Sequence, residues 1–204
     1  MSLIIVPTDS KGLTIAPPEK KMGAGGTHSH EVRYDKVVVP AGNLLGTEGE
    51  GLQQTLTILD GGRIAVGALS VGIAQAALEE GVRYARQRQQ FGVPIAQHQS
   101  IQTMIADMAT QVDAARLMVY RAAAMKDKHL PYSKESAMAK LFAAETATRV
   151  TDLAVQIHGG YGYSKAYAVE RYWRDARVTR IYEGTSEVHR MVIAKSVLLS
   201  LIHI

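Results

Sequence analysis

Apolar positions recur at helical spacing through most of the chain and alternate only near its start. Leu52, Leu56, Leu59, Ile64, Leu69, Ile73 and Leu78 predict one long helix from about Glu50 to Gln90, locally weak at Gly61 and Gly62. Pro94 closes the following linker, and the stripe Ile101, Met104, Ile105, Met108, Val112, Ala115 and Val119 predicts a second helix over about 97–128. Pro131 and Ser133 open a third helix to about Ile157, with Ala137, Leu141, Ala144 and Ala154 inward, which Gly159-Gly160 stops. A short charged helix is expected over about Ala166–Asp175 and a last one from Thr185 to about Leu199. Long helices joined by short loops pack antiparallel.

Residues 1–46 have another period. Leu3-Ile4-Ile5-Val6, Pro17-Pro18, the glycine-rich turn Gly23 to Gly26 and the alternation Val32, Tyr34, Val37, Val39 read as short strands. So few strands leave open edges. Either they pack on the helices or they are the tail end of a larger β domain. The expected fold is therefore mainly α, an antiparallel four-helix-type bundle over 47–204 preceded by a small partial β segment over 1–46.

Composition adds three limits. A hydrophobic content of 47% supports a buried core. The 23 basic and 19 acidic residues give a net charge of +4, which permits phosphate contact without requiring it. Basic residues concentrate only at Arg83 to Arg88 and Arg171 to Arg180, so nucleic acid is not the expected partner. The absence of cysteine removes disulfides, thiolate metal sites and a cysteine nucleophile, and fits a reducing compartment. The longest uncharged run, Ile64 to Leu78, is 15 residues, short of the roughly 20 of a membrane span. No charged-then-apolar targeting pattern follows Met1, and the apolar Leu198 to Ile204 suits burial at an interface.

The candidate chemistry begins at Ile181-Tyr182-Glu183-Gly184-Thr185-Ser186-Glu187, a loop feeding a helix. Thr185 or Ser186 can cap that helix and leave N–H groups facing an anion. Glu183 is then either a solvated turn residue or a base beside an oxyanion site. Asp60 and Arg63 are i,i+3 neighbours, either a surface ion pair or part of a site. Arg83, Arg86 and Arg88 close the first helix, where cations suit the helix dipole and guanidinium also clamps phosphate. The turn at Gly159 and Gly160 is either a C-cap or bare backbone on which a purine or phosphate can lie. His28-Ser29-His30 offers two imidazoles but no third ligand, so no metal is expected. His158 reads as a packing residue.

In this order and spacing the chain resembles the acyl-CoA dehydrogenase family. The stretches that carry the resemblance are 21–23, 39–46, 88–92, 106–109, 137–140, 156–163, 170–177 and 181–187. The resemblance implies a flavoprotein oxidoreductase of fatty acid metabolism that uses FAD to convert an acyl-CoA to its trans-2-enoyl form. Glu183 matches the base that removes the α-proton; in some members that base stands instead at the position of Gly62. Arg88, Phe91 and Gln99 match residues that reach the FAD of a neighbouring subunit. Gln156, Gly159 and Gly160 match adenine and pyrophosphate contacts, and Thr185, Ser186 and Glu187 a further FAD contact. Asp60, Arg63 and Gly184 match the substrate side.

The resemblance further implies an electron-transfer flavoprotein as acceptor and a homo-oligomer built as a dimer of dimers. It places the protein in the bacterial cytoplasm, or in the mitochondrial matrix if eukaryotic. A complete member has a helical domain and more of the β domain ahead of the stretch present here, so these residues alone are expected to be inactive. An oxidase of the same fold and a non-catalytic oligomerising bundle are the rival readings. A thioester α-proton is weakly acidic, so the base needs desolvation and the enolate oxygen needs donors. Ile181 and Tyr182 can dry Glu183, while the adjoining helix N-terminus favours the carboxylate.

Overall fold

A computed structural model describes residues 1–201. The chain forms two compact units, one of Met1–Leu59 and one beginning at Asp60. In the first, β1 (Leu3–Ile4) pairs antiparallel with β4 (Leu44–Leu45), and β2 (Leu13–Ile15) with β3 (Val32–Tyr34), in the register Leu3 to Leu45 and Leu13 to Tyr34. The alternation through Val37 and Val39 does not continue β3. Lys36 takes φ +49°, which turns the chain out of extended geometry. The Gly12 carbonyl (φ +91°) accepts the N–H of Asp35, and a β-carbon at Gly12 would stand 2.1 Å from the Asp35 carbonyl oxygen, so only glycine closes this turn.

Among the described residues five α-helices follow: α1 (Gly51–Gln87), α2 (Gln99–Asp127), α3 (Ser133–His158), α4 (Val169–Arg177) and α5 (Ser186–Leu201). The fold is mainly α, as the periodicity predicts. The long first helix stops at Gln87 because β5 (Gln89–Gln90) pairs with β6 (Val93–Pro94), and Phe91 (φ +55°) with Gly92 (φ +82°) make the hairpin turn. α2 starts at Gln99, two residues later than the apolar stripe suggests. Ile95–Gln97 form a 3-10 turn, and His98 is extended at ψ 129°.

Small residues set how closely the helices pack. A β-carbon at Gly67 would meet Val119 Cγ2 at 3.0 Å and the Ala139 backbone at 3.8 Å; one at Gly81 would meet Met108 and Ile157. The Gly67 stretch of α1 thus lies with the later part of α2 and the early part of α3, and the Gly81 stretch with the earlier part of α2 and the end of α3. The consecutive pairs α1/α2 and α2/α3 are therefore antiparallel, and α1 runs parallel to α3. Met108, Val112, Ala74, Ala77, Ala147, Val150 and Ala154 fill one core cluster, which extends to Val169 and Ala176 of α4. Ile64, Val71, Ala115, Val119, Ala122, Ala139 and Ala143 fill a second.

By length and composition α1 is the one helix among the described residues apolar enough to cross a membrane. Its Ala74, Ala77 and Ala85 are nonetheless fully enclosed. Leu198 and Leu199 are exposed, and 202–204 of the apolar tail lie outside the described residues.

Candidate active site

The turn before α5 holds Glu183 at φ +53° and Gly184 at φ +93°. A left-handed glutamate is costly, by roughly 1–3 kcal/mol, and such geometry persists where surrounding contacts impose it. Thr185 is the residue that caps α5: its Oγ1 accepts the Val188 N–H at 3.3 Å. The Ser186 hydroxyl is buried without a partner among the described residues. Glu187 is exposed beside Arg190 at 3.9 Å, and its own N–H and the Thr185 hydroxyl hold its carboxyl below the usual range.

Glu183 is half-buried and reaches α1. A β-carbon at Gly62 would stand 2.7 Å from Glu183 Oε2. One residue on, Arg63 is buried and pairs with Asp60 (Nη1 to Oδ1, 2.5 Å), which also accepts the Ser133 hydroxyl at 3.0 Å. The pair is therefore part of a packed site, not a surface contact. Arg63 Nε has no partner among the described residues.

Two side chains that periodicity did not single out complete this end. Lys140 of α3 is fully buried and its Nζ donates to the Gly184 carbonyl at 2.6 Å. Burial pushes its ammonium down to about 8, with Arg63 acting the same way and Glu183, Glu145 and Glu187 opposing. His189 of α5 is also fully buried under Gly184. Its ring nitrogens close no well-aligned hydrogen bond, although the Gly184 carbonyl lies near enough to favour the protonated ring slightly. Burial, then Lys140 and Arg63, push His189 down to about 4, so it is neutral. The signal for Lys140 was present in the sequence: it stands at i+3 from Ala137 and i−4 from Ala144, on the inward stripe of an alanine-rich helix.

The other sequence-marked residues gather at the far end of α1. Tyr84, Arg88, Gln90, Ile95, His158, Gly159, Gly160 and Tyr161 line a cleft of about 630 Å³. The Arg88 guanidinium lies 5.6 Å from the centre of the Tyr161 ring. His158 is buried, stacks on Tyr84 at 4.2 Å and bonds the Ala154 carbonyl through Nδ1, as a packing residue does. Gly159 takes φ +57° to end α3, and both it and Gly160 face open space. Gln156, Phe91 and Gln99 are exposed and outside the cleft lining, with Phe91 edge-on to His98 at 5.8 Å. Tyr84 follows Gly62 by 22 residues, about 33 Å along one helix. The structure thus brings Asp60, Arg63, Glu183 and Gly184 together and sets Arg88, Gly159 and Gly160 apart from them.

The arginine-rich runs are partly paired internally, Arg83 with Glu80, Arg174 with Glu170 and Arg180 with Glu145. His28 and His30 have ring centres 6.1 Å apart, and no group of three or more His, Cys, Asp or Glu suited to a metal occurs among the described residues.

The family model described as the acyl-CoA dehydrogenase C-terminal domain matches residues 49–198. A probable acyl-CoA dehydrogenase of Bacillus subtilis is 54% identical over 97% of this chain and 52% of its own length. An acryloyl-CoA reductase (NADH) of Anaerotignum propionicum is 52% identical over 97% of this chain and 50% of its own. The butyryl-CoA dehydrogenase structure from Megasphaera elsdenii superposes with a TM-score of 0.94 at 46% identity, covering 97% of this chain and 51% of that one. The chain spans about half the length of the relatives it matches. A match over most of the chain by sequence and by fold, on the scaffold that holds Glu183 against Gly62, establishes that this chain belongs to the acyl-CoA dehydrogenase family.

Proposed function

We propose that the chain serves α,β-dehydrogenation of an acyl-CoA thioester, with Glu183 as the base that takes the α-proton. The observation that carries this reading is the strained turn that lays the Glu183 carboxylate over Gly62, beside buried Arg63. Gly62 leaves the carboxylate room, and with a glycine there Glu183 is the candidate for the base; Asp60 is occupied by Arg63 and Ser133. Arg63 and Asp60 border the substrate, and the Gly184 backbone lies beside the thioester.

The cleft residues fit a flavin dinucleotide. A β-carbon at Gly160 would point into open space, and exposed Arg88 lines the same cleft as a cation. Gln156, Gly159 and Gly160 would hold the adenine and pyrophosphate, Arg88, Phe91 and Gln99 would reach a neighbouring copy's FAD, and Thr185, Ser186 and Glu187 would contact FAD beside the base. Such a group, when bound, supplies the acceptor for the β-hydride. The rise of about 33 Å along α1 from Gly62 to Tyr84 keeps the two corners of one chain apart, which supports cofactors shared between copies of a homo-oligomer, a dimer of dimers. An electron-transfer flavoprotein is the proposed redox partner, and a reducing compartment, the bacterial cytoplasm or the mitochondrial matrix, the proposed location.

The 52% identity to an acryloyl-CoA reductase favours a second reading, in which the same carboxyl returns a proton to the α-carbon of an enoyl-CoA. The test is Glu183→Gln in the FAD-loaded holoenzyme. Thioester-dependent bleaching of the flavin should slow by about 10²–10⁴-fold, the usual contribution of a positioned base. Bleaching at the native rate would remove Glu183 from the role. Assaying both a saturated acyl-CoA with an electron acceptor and an enoyl-CoA with a reduced donor separates the two directions.

A further inference from the structure

Lys140 is buried to 0% exposure yet makes a single hydrogen bond among the described residues, to the carbonyl oxygen of Gly184. That carbonyl belongs to the second of two consecutive left-handed residues, so the ammonium grips the turn at its tightest point. A charged donor makes a stronger bond than a neutral one, by about twofold. His189 fills the space on another side of the same glycine. A β-carbon on Gly184 would stand 3.1 Å from His189 Cε1. The His189 ring is neutral and apolar in effect, so it packs the turn without competing for the charge.

We propose that Lys140 is a positioning residue for Glu183: its charged ammonium, bonded to the Gly184 carbonyl, holds the left-handed turn that aims the base at the substrate. The proposal rests on the reading of Glu183 as the base.

The groups that face Lys140 are Arg63 from α1, Glu183 from the turn, Glu187 and His189 from α5, and Glu145 on α3 itself. Glu145 is engaged by Arg180 at 3.1 Å and Arg190 at 3.4 Å, so its pull on Lys140 is shared. With its ammonium pushed down to about 8, Lys140 gives up its proton within reach of ordinary assay conditions. Activity should therefore fall on the alkaline side as the grip on Gly184 weakens, with substrate affinity little changed, because Lys140 touches the turn and not the thioester.

The experiment compares Lys140→Met and Lys140→Arg with the native FAD-loaded holoenzyme. In Lys140→Met, amide hydrogen exchange at Gly184 to Val188 should accelerate by about tenfold or more as the turn opens locally. Its kcat should drop by roughly 100-fold, the cost of misplacing a reacting group by about 1 Å, with KM nearly unchanged and the alkaline limb gone. Lys140→Arg, which stays charged, should restore part of kcat and move the limb upward. A native exchange rate at Gly184 together with a native pH profile in Lys140→Met would overturn the proposal.

An uncharged residue in so enclosed a slot can cost folding, so a second measurement leaves Lys140 in place. The Lys140 Nζ resonance is titrated in the native protein and in Glu183→Gln. Loss of the carboxylate should lower the midpoint, and an unmoved midpoint would mean that the two groups are not coupled and overturn the proposal. Full activity in Glu183→Gln would remove the base assignment while leaving the exchange result readable. Lost activity there with unchanged exchange in Lys140→Met would sink only the role given to Lys140.

Discussion

Glu183 and Gly62 are 121 residues apart in sequence and in contact in space, and each is informative because of what the other lacks. Alanine at position 62 would raise helix propensity by about 1 kcal/mol. Its β-carbon would displace only the flexible end of Glu183. Gly62→Ala should thus leave the melting temperature unchanged or higher while cutting kcat by roughly 100-fold, since about 1 Å of displacement costs that much. Thermal unfolding run beside steady-state kinetics would read both, and undiminished turnover would argue that nothing reacts near this carboxylate. The sequence made Glu183 legible, as a carboxylate on a Gly-Thr-Ser turn. It hid Lys140 and His189, because a lysine or histidine in a helix reads as a solvent-facing residue unless its neighbours on the same stripe are weighed. No local pattern encodes the pairing with Gly62 over such a separation; only the resemblance, in which the base stands at either position, pointed to it.

At the scale of elements, helix spacing was readable from apolar periodicity, and helix ends were not where local backbone geometry decided them. The hairpin at Gln89 to Pro94 carries Phe91 rather than Asn or Gly at a left-handed position, so the usual two-residue turn signal was missing. Likewise Val37 and Val39 alternate as a strand would, yet the turn at Lys36 ends β3. The bundle itself depends on glycine and alanine where α1, α2 and α3 converge. Gly67→Leu would drive a side chain into Val119 and the Ala139 backbone, and overpacking of this kind costs about 1–3 kcal/mol. Chemical denaturation should show that loss in the midpoint with the slope preserved. Removing the α5 cap in Thr185→Ala should cost about 1 kcal/mol, measured in the same way, and an unaltered midpoint would show that the Val188 N–H finds another partner.

For the molecule as a whole, two buried bases push stability in one direction. His189 has a folded value of about 4 against an ordinary 6.5, so its neutral state contributes fully above pH 6.5 and that contribution is lost as pH falls toward 4. Lys140, pushed from 10.5 down to about 8, makes stability rise again between those two values, because the unfolded chain there holds a proton that the folded one has released. Unfolding free energy should accordingly climb from pH 4 to 6.5, and His189→Leu should flatten that segment of the curve. A variant that keeps the native slope would show that other groups dominate the acid side. The same molecule-wide view applies to α1, which carries Gly62 in its first third and Tyr84 in its last turn. Each residue of an α-helix turns the chain by about 100°. Removing or adding one residue between these points would therefore swing one reactive corner a quarter-turn or more around the axis relative to the other, however well the helix itself survived. The length of this segment is a phase setting, and natural variants should exchange its exposed side chains while tolerating no indel.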